Sequence, residues 1–191
     1  VLLQLEIPIE VNRTVARWAK EAGVPVMLNP APATELDDEL LSLVSWLIPN
    51  EQEASMGTHL PLRTEVEGPL KSDLRNIAAK LWDKGVEHIV ITLGGHGAVV
   101  VKADGLTYIP CVSMRHVADP TAAGGSLVGA LAVGVTLGLS HAQALEFAAY
   151  TAALTVSRMG AMPSLPTLEE VLTLMRERGC QAPARLDVLK A

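Results

Sequence analysis

Short apolar runs and helical periodicities alternate along the first half of this chain. Residues 1–5 form a strand-length apolar run with Gln4 and Glu6 at its C-terminal end. Pro8 suits the first turn of a helix, and residues 11–22 carry apolar side chains at helical spacing before Gly23. Residues 24–28 read as a second strand stopped by Asn29-Pro30-Ala31-Pro32, and residues 36–44 as a short helix. Residues 45–48 make a third strand, after which Pro49-Asn50-Glu51-Gln52-Glu53 opens another helix. Residues 58–69 predict a weakly structured loop, residues 70–84 an amphipathic helix ended by Gly85. A strand over 88–92 runs into Gly94-Gly95-His96-Gly97. Strands over 98–102 and 106–110 meet at Asp104-Gly105, a hairpin turn pair. Three helices follow, over 122–137, 142–157 and 168–178, and the polar residues after Gly179 read as a mobile tail.

This alternation implies parallel βαβ units: an α/β fold with a mostly parallel sheet, an antiparallel edge hairpin and a C-terminal helical group. The expected domain covers residues 1–179, with a tail over 180–191. Ligands of such sheets bind beyond the C-terminal strand ends. Glu6, Asn29, Asn50, Glu53, residues 92–97 and the turn at Asp119 are all expected there.

Composition narrows the picture. The chain has 191 residues, enough for one or two domains with a proper core, and aromatics are only 3%, so Leu, Val, Ile and Ala must fill that core. Trp18, Trp46 and Trp82 read as packing residues. A net charge of -6 without a Lys/Arg cluster argues against a nucleic-acid partner. No apolar run is long enough to span a membrane. Cys111, expected in the hairpin, and Cys180, expected in the tail, offer no metal spacing or disulfide framework, which points to a cytoplasmic compartment. No signal peptide is visible. The chain opens inside a strand without Met, which points to residues upstream.

The candidate chemistry concentrates at Ala118-Asp119-Pro120-Thr121-Ala122-Ala123-Gly124-Gly125-Ser126, a small-residue turn entering an apolar helix. Free N–H groups and the helix dipole make such a turn an anion site, or simply a tightly packed helix start. Phosphoryl transfer to a hydroxyl would need an acid there, and Gly125 can do no acid–base chemistry. Asn50 and Glu53 share a helix face; as residues they read as an N-cap and capping box.

Taken in order, several segments carry a family likeness. They are Gln4-Leu5-Glu6, Asn29-Pro30-Ala31-Pro32-Ala33, Pro49-Asn50-Glu51-Gln52-Glu53-Ala54, Ile91-Thr92-Leu93-Gly94, the turn from Asp119 to Gly129, and Arg158-Met159-Gly160-Ala161-Met162-Pro163-Ser164. Up to about residue 167 the chain resembles the ribokinase branch of the ribokinase-like carbohydrate kinases. The resemblance implies a three-layer Rossmann-like fold, of which this chain is the C-terminal portion, with the family's N-terminal strands and sugar-covering lid absent. It implies ATP-dependent phosphorylation of D-ribose at the 5-hydroxyl, with ATP, Mg²⁺ and K⁺ as cofactors.

By the same resemblance, the amides of Ala122, Ala123 and Gly124 form the anion hole, and Gly125 stands where the family has its catalytic Asp. Asn50, Thr92, Leu93, Gly94, Gly95, His96, Gly97, Gly124 and Ala149 line the nucleotide, with His96 a surface loop residue rather than a base. Ala149 replaces a residue that is polar in some relatives. Glu6 matches a sugar contact, and Glu53 holds Mg²⁺ through water. Asp119, Thr121, Thr155, Arg158, Gly160 and Ser164 match a K⁺ site made mostly of backbone carbonyls. Pro120 departs from the family's usual Thr and lacks an N–H. The expectation is therefore a ribose kinase impaired or inactive on two counts, Gly125 at the base position and the missing N-terminal part that carries most of the family's sugar contacts. The alternatives are a non-catalytic module binding ATP or ADP, and a remnant acting through protein contacts. Self-association through an exposed sheet edge is expected, with no nucleic-acid or membrane partner.

Overall fold

In a computed structural model, residues 1–65 and 68–190 are described. Backbone contacts group them into two compact units, Val1–Tyr108 and Ile109–Ala191. The division falls near the end of the hairpin.

The first unit runs β1 (Leu2–Gln4), α1 (Ile9–Glu21), β2 (Met27–Asn29), α2 (Asp38–Leu43), β3 (Trp46–Leu47), α3 (Glu51–Thr58), β4 (Thr64–Glu65), β5 (Gly68–Pro69), α4 (Lys71–Asp83), β6 (His88–Thr92), β7 (Ala98–Lys102) and β8 (Gly105–Ile109). Six strands form one sheet in the order β1-β2-β3-β6-β7-β8. Pairing is parallel from β1 to β6 and antiparallel between β6 and β7. A parallel order that advances steadily, joined by right-handed crossovers, sends α1, α2 and the α3–α4 pair to one face. One core cluster shows this: Ala16 and Ala19 of α1, Leu40 and Leu41 of α2, and Leu74, Ile77 and Leu81 of α4 pack on Leu28, Leu47, Ile89, Ile91, Val99 and Val101. The alternate strand residues Met27, Trp46, Val90 and Val100 are buried as well. Both sheet faces are therefore covered, as the apolar strand runs require.

The β6 and β7 spans match the sequence reading to the residue. β2 starts at Met27 instead of 24, because Pro25 cannot donate to the ladder. Pro8 caps α1 from outside rather than entering its first turn. In the expected loop over 58–69, Thr64–Glu65 pairs antiparallel with Gly68–Pro69, and Arg63 makes a two-pronged contact with the buried Asp73 carboxylate, 2.9 and 2.7 Å; residues 66 and 67 of that segment lie outside the described residues. Trp18 is 65% exposed, on the side of α1 opposite Ala16 and Ala19, so it is not a packing residue. Trp46 is buried, its ring 4.3 Å from that of His88, and Trp82 packs on the core cluster.

The second unit holds α5 (Ala123–Thr136), α6 (His141–Val156) and α7 (Leu168–Glu177). α5 and α6 approach so closely that a Cβ on Gly134 would lie 2.8 Å from the Ala144 side chain. The tail is docked rather than mobile. Residues Ala184–Lys190 form a 3₁₀ helix, Leu186 is fully buried, and the Arg185 guanidinium donates to the Leu137 and Gly138 carbonyls at the end of α5. Cys111 lies just past β8 rather than within the hairpin, and both cysteines are free. Among the described residues no helix is long and apolar enough to cross a membrane.

One buried group opposes this packing. Asn12, on the inner face of α1, is fully buried, and neither its Oδ1 nor its Nδ2 has a partner. An unpaired buried amide costs about 1–3 kcal/mol. Asn12→Leu, of similar shape, is expected to raise the unfolding free energy by about that amount. Urea unfolding measures it, and an unchanged or lower midpoint would show that Asn12 is satisfied in solution.

Candidate functional site

The parallel order gathers polar side chains at one end of the first unit's sheet. The Gln4 side-chain amide donates to Asn29 Oδ1 at 2.8 Å, and the Asn29 amide donates to the Ile48 carbonyl at 2.9 Å. Asn50 follows, bridged to Thr92, whose N–H donates to the Pro49 carbonyl. Asn50 is also the N-cap of α3. Its Oδ1 accepts the Glu53 amide, Glu53 Oε2 accepts the Asn50 amide, and the Asn50 side-chain amide donates to Glu53 Oε1, all at 2.8 Å. The capping box is thus real, and it orients a carboxylate that is only 6% exposed. Burial pushes the Glu53 carboxyl above its ordinary range, opposed by the Asn50 amide. A hydrated Mg²⁺ takes one or two carboxylates together with several waters, and Glu53 is such a carboxylate, held in place by its cap.

The Thr92 loop closes on itself. Leu93 N–H donates to the Gly97 carbonyl, His96 to Leu93, and Gly97 to Gly94. Gly94 and Gly97 both hold positive φ, and nothing lies within 4 Å of a Cβ built on Gly94 or Gly95. The loop therefore offers exposed backbone to a ligand. His96 is exposed in this loop, and Glu6 is exposed beyond β1.

The second unit carries the other set. Asp119 is a clasp: Oδ1 accepts the Thr121 amide at 2.9 Å, and Oδ2 accepts the Gly160 amide, 41 residues away, at 3.0 Å. Thr121 and Gly160 hold its carboxyl below the ordinary range. The amides of Ala118 and Asp119 both donate to the Val156 carbonyl at the end of α6. Arg158 N–H donates to the Thr155 carbonyl, and Gly160 has a φ of 88°. Thr155 and Ser164 are fully buried, each hydroxyl donating to a nearby carbonyl, Thr151 and Ala161. Asp119, Thr121, Thr155, Arg158 and Gly160 are thus knitted into one patch. Ala149 is half-buried on α6. Among the described residues no group of three or more His, Cys, Asp or Glu is placed to hold a metal ion; this patch offers one carboxylate and several carbonyls.

α5 starts in an unusual way. Its N-cap, Ala122, has a φ of 64°, and no side chain caps the helix. The Ala123 amide turns back to the Pro120 carbonyl at 3.2 Å. Gly124 and Gly125 follow, and a helix start leaves such amides without intrahelical acceptors. A Cβ on Gly125 meets nothing within 4 Å, and its φ is ordinary. Gly125 and Ala122 open onto a cavity of about 410 Å³ lined also by Ser126, Gly129, Thr151 and Met162.

The sequence reading did not single out Glu170. It receives the Arg158 guanidinium at 3.2 and 2.6 Å while closing the Thr167 capping box. Arg158 holds its carboxyl down at about 2. The Thr167-x-x-Glu170 spacing is the signal that could have found it. The strain at Ala122 had no such signal.

Residues 1–168 match the sequence pattern of the pfkB family carbohydrate kinases. The chain belongs to that family. Its relatives in the pfkB family include the ribokinase of Schizosaccharomyces pombe, 37% identical over 175 residues, covering 90% of this chain and 53% of that protein. The ribokinase of Haemophilus influenzae is 36% identical over 175 residues, covering 92% of this chain and 55% of that one. The Arabidopsis thaliana ribokinase, solved with ribose and ATP, superposes with a TM-score of 0.85 at 35% identity, over 92% of this chain and 55% of that one. This pfkB-family chain thus spans about half the length of these relatives, with their α/β Rossmann-like fold.

A left-handed Ala costs about 1–2 kcal/mol, which Gly avoids, while Gly loosens the unfolded chain by about 0.4–1 kcal/mol. Ala122→Gly is expected to stabilise the protein by up to about 1 kcal/mol. A drop in the urea midpoint would show that Ala122 is not strained.

Proposed function

We propose that this chain is the nucleotide- and phosphate-handling portion of a ribokinase-type kinase whose transfer chemistry is disabled at Gly125. The carrying observation is the start of α5: an uncapped helix whose first amides follow a strained Ala122, with empty space where an acid would stand. The amides of Ala122, Ala123 and Gly124 receive the transferring phosphate, the Ala123 amide turning from the Pro120 carbonyl to do so. In the first unit Asn50 and the loop over 92–97, Leu93 included, are the nucleotide residues; in the second, Ala149 is. Glu53 orders the water shell of Mg²⁺. The carbonyls of Thr121, Thr155, Arg158 and Gly160, with Asp119 and Ser164, hold K⁺, a donor set that suits a large, weakly hydrated cation. Bound metal would neutralise phosphate charge. D-Ribose as acceptor is supported by the relatives that are ribokinases, and Glu6, exposed beyond β1, is the proposed sugar contact.

A general base contributes on the order of 10²–10⁴ in rate, or about 3–5 kcal/mol of barrier. Asp119 is not that base in this reading: it is bonded to the Thr121 and Gly160 amides and belongs to the cation patch. The same observation favours the second reading, a module that binds nucleotide without turnover.

Calorimetric titration of ADP with Mg²⁺ and K⁺ is expected to give saturable binding. A folded chain that binds nothing would reduce the kinase reading to ancestry and leave a remnant acting through protein contacts. Gly125→Asp meets no steric obstacle and places an acid in the first turn of α5, where the helix dipole favours it. Assayed with D-ribose and ATP, it is expected to raise transfer by on the order of 10²–10⁴. Efficient transfer by the unsubstituted chain would overturn the disabled site.

A further inference from the structure

The segment that supplies the cation carbonyls is fastened at two points. On one side the Gly160 amide donates to Asp119 Oδ2 at 3.0 Å. On the other, the Arg158 guanidinium grips Glu170 through both terminal nitrogens. Glu170 is itself held, because its Oε2 accepts the Thr167 amide at 2.8 Å as the third residue of α7. The second fastening therefore ties the segment to the start of a helix.

Backbone carbonyls cannot swing independently as side chains do, so their aim follows the φ and ψ of the segment that carries them. A cation site built from them is selective only if that segment is preset. We propose that the Arg158–Glu170 pair is a positioning clamp that sets residues 155–164 for a potassium-sized cation. This rests on the cation reading given above. Both side chains are partly exposed, 34% and 41%, so solvent screens what the pair adds to stability, though its two-pronged geometry fixes direction. The clamp thus acts on cation preference, a property that a merely stabilising pair would leave alone.

Thermal unfolding of the whole chain in KCl and in LiCl at equal ionic strength separates the two. The unsubstituted chain is expected to melt higher in KCl. Glu170→Gln keeps a capping side chain on Thr167 and removes the charge; it is expected to lose most of the KCl advantage while melting almost unchanged in LiCl. Arg158→Ala behaves alike. Thr167→Ala, which removes the cap and leaves the pair, lowers both melting points and keeps their difference. A KCl advantage that survives Glu170→Gln and Arg158→Ala overturns the clamp and spares the cation site. No advantage in the unsubstituted chain overturns the cation site, and the clamp with it. Amide hydrogen exchange at Gly160 gives a salt-independent check. It is expected to quicken by about tenfold in Glu170→Gln, and an unchanged rate overturns the clamp whatever the salts show.

Discussion

The first unit depends on the steady parallel order of β1, β2, β3 and β6. That order fixes which face the crossover helices take, and it brings every strand's C-terminal end to one edge. Strand ends in a buried sheet must satisfy their backbone groups without open water. Here the Asn29 amide reaches the Ile48 carbonyl and Asn50 bridges to Thr92, while Gln4–Asn29 and Asn50–Glu53 satisfy side chain with side chain. The polar row that makes the edge chemically useful is also what allows the sheet to end there. The capping box of Asn50 and Glu53 is compatible with the roles proposed for them, Asn50 at the nucleotide and Glu53 at Mg²⁺ through water.

The second unit solves a different problem. It must hold a turn of small residues, which cannot hold itself through side chains, against an uncapped helix. Asp119 supplies the restraint from one end and the Val156 carbonyl from the other. The left-handed conformation at Ala122 is the local cost of that arrangement, and it falls at the residue just before the exposed amides. Strain of this kind survives only where surrounding bonds over-determine the backbone, as these do.

Much of this was legible in the residues, for identifiable reasons. β6 and β7 are apolar runs bounded by polar or glycine residues, so their limits read directly. β2 and β3 are shorter than their apolar runs, because hydrogen-bond register rather than hydrophobicity ends a strand. Trp18 misled because size suggests burial, while its helical position, two residues from Ala16 and one from Ala19, places it outside. The docked tail was hidden because one apolar residue, Leu186, anchors it among polar ones. Asn12 could not be read as unpaired, since sequence does not tell whether a buried amide finds a partner. In the site, order and spacing of motifs carried the reading, whereas the Asp119–Gly160 clasp and the Arg158–Glu170 pair join segments far apart in sequence.

Gly125 separates what the fold needs from what the chemistry needs. Glycine is common where a backbone must take positive φ or where a neighbour leaves no room for a Cβ. Gly160 meets the first condition and Gly134 the second. Gly125 meets neither: its backbone is helical and its missing side chain faces open space. Inside a helix it costs roughly 0.5–1 kcal/mol relative to Ala. Packing therefore does not account for glycine at this position. A Cβ has room there, so neither the turn, the clasp nor the loop over 94–97 demands glycine at this position, which is what the proposed loss of an acid would leave behind.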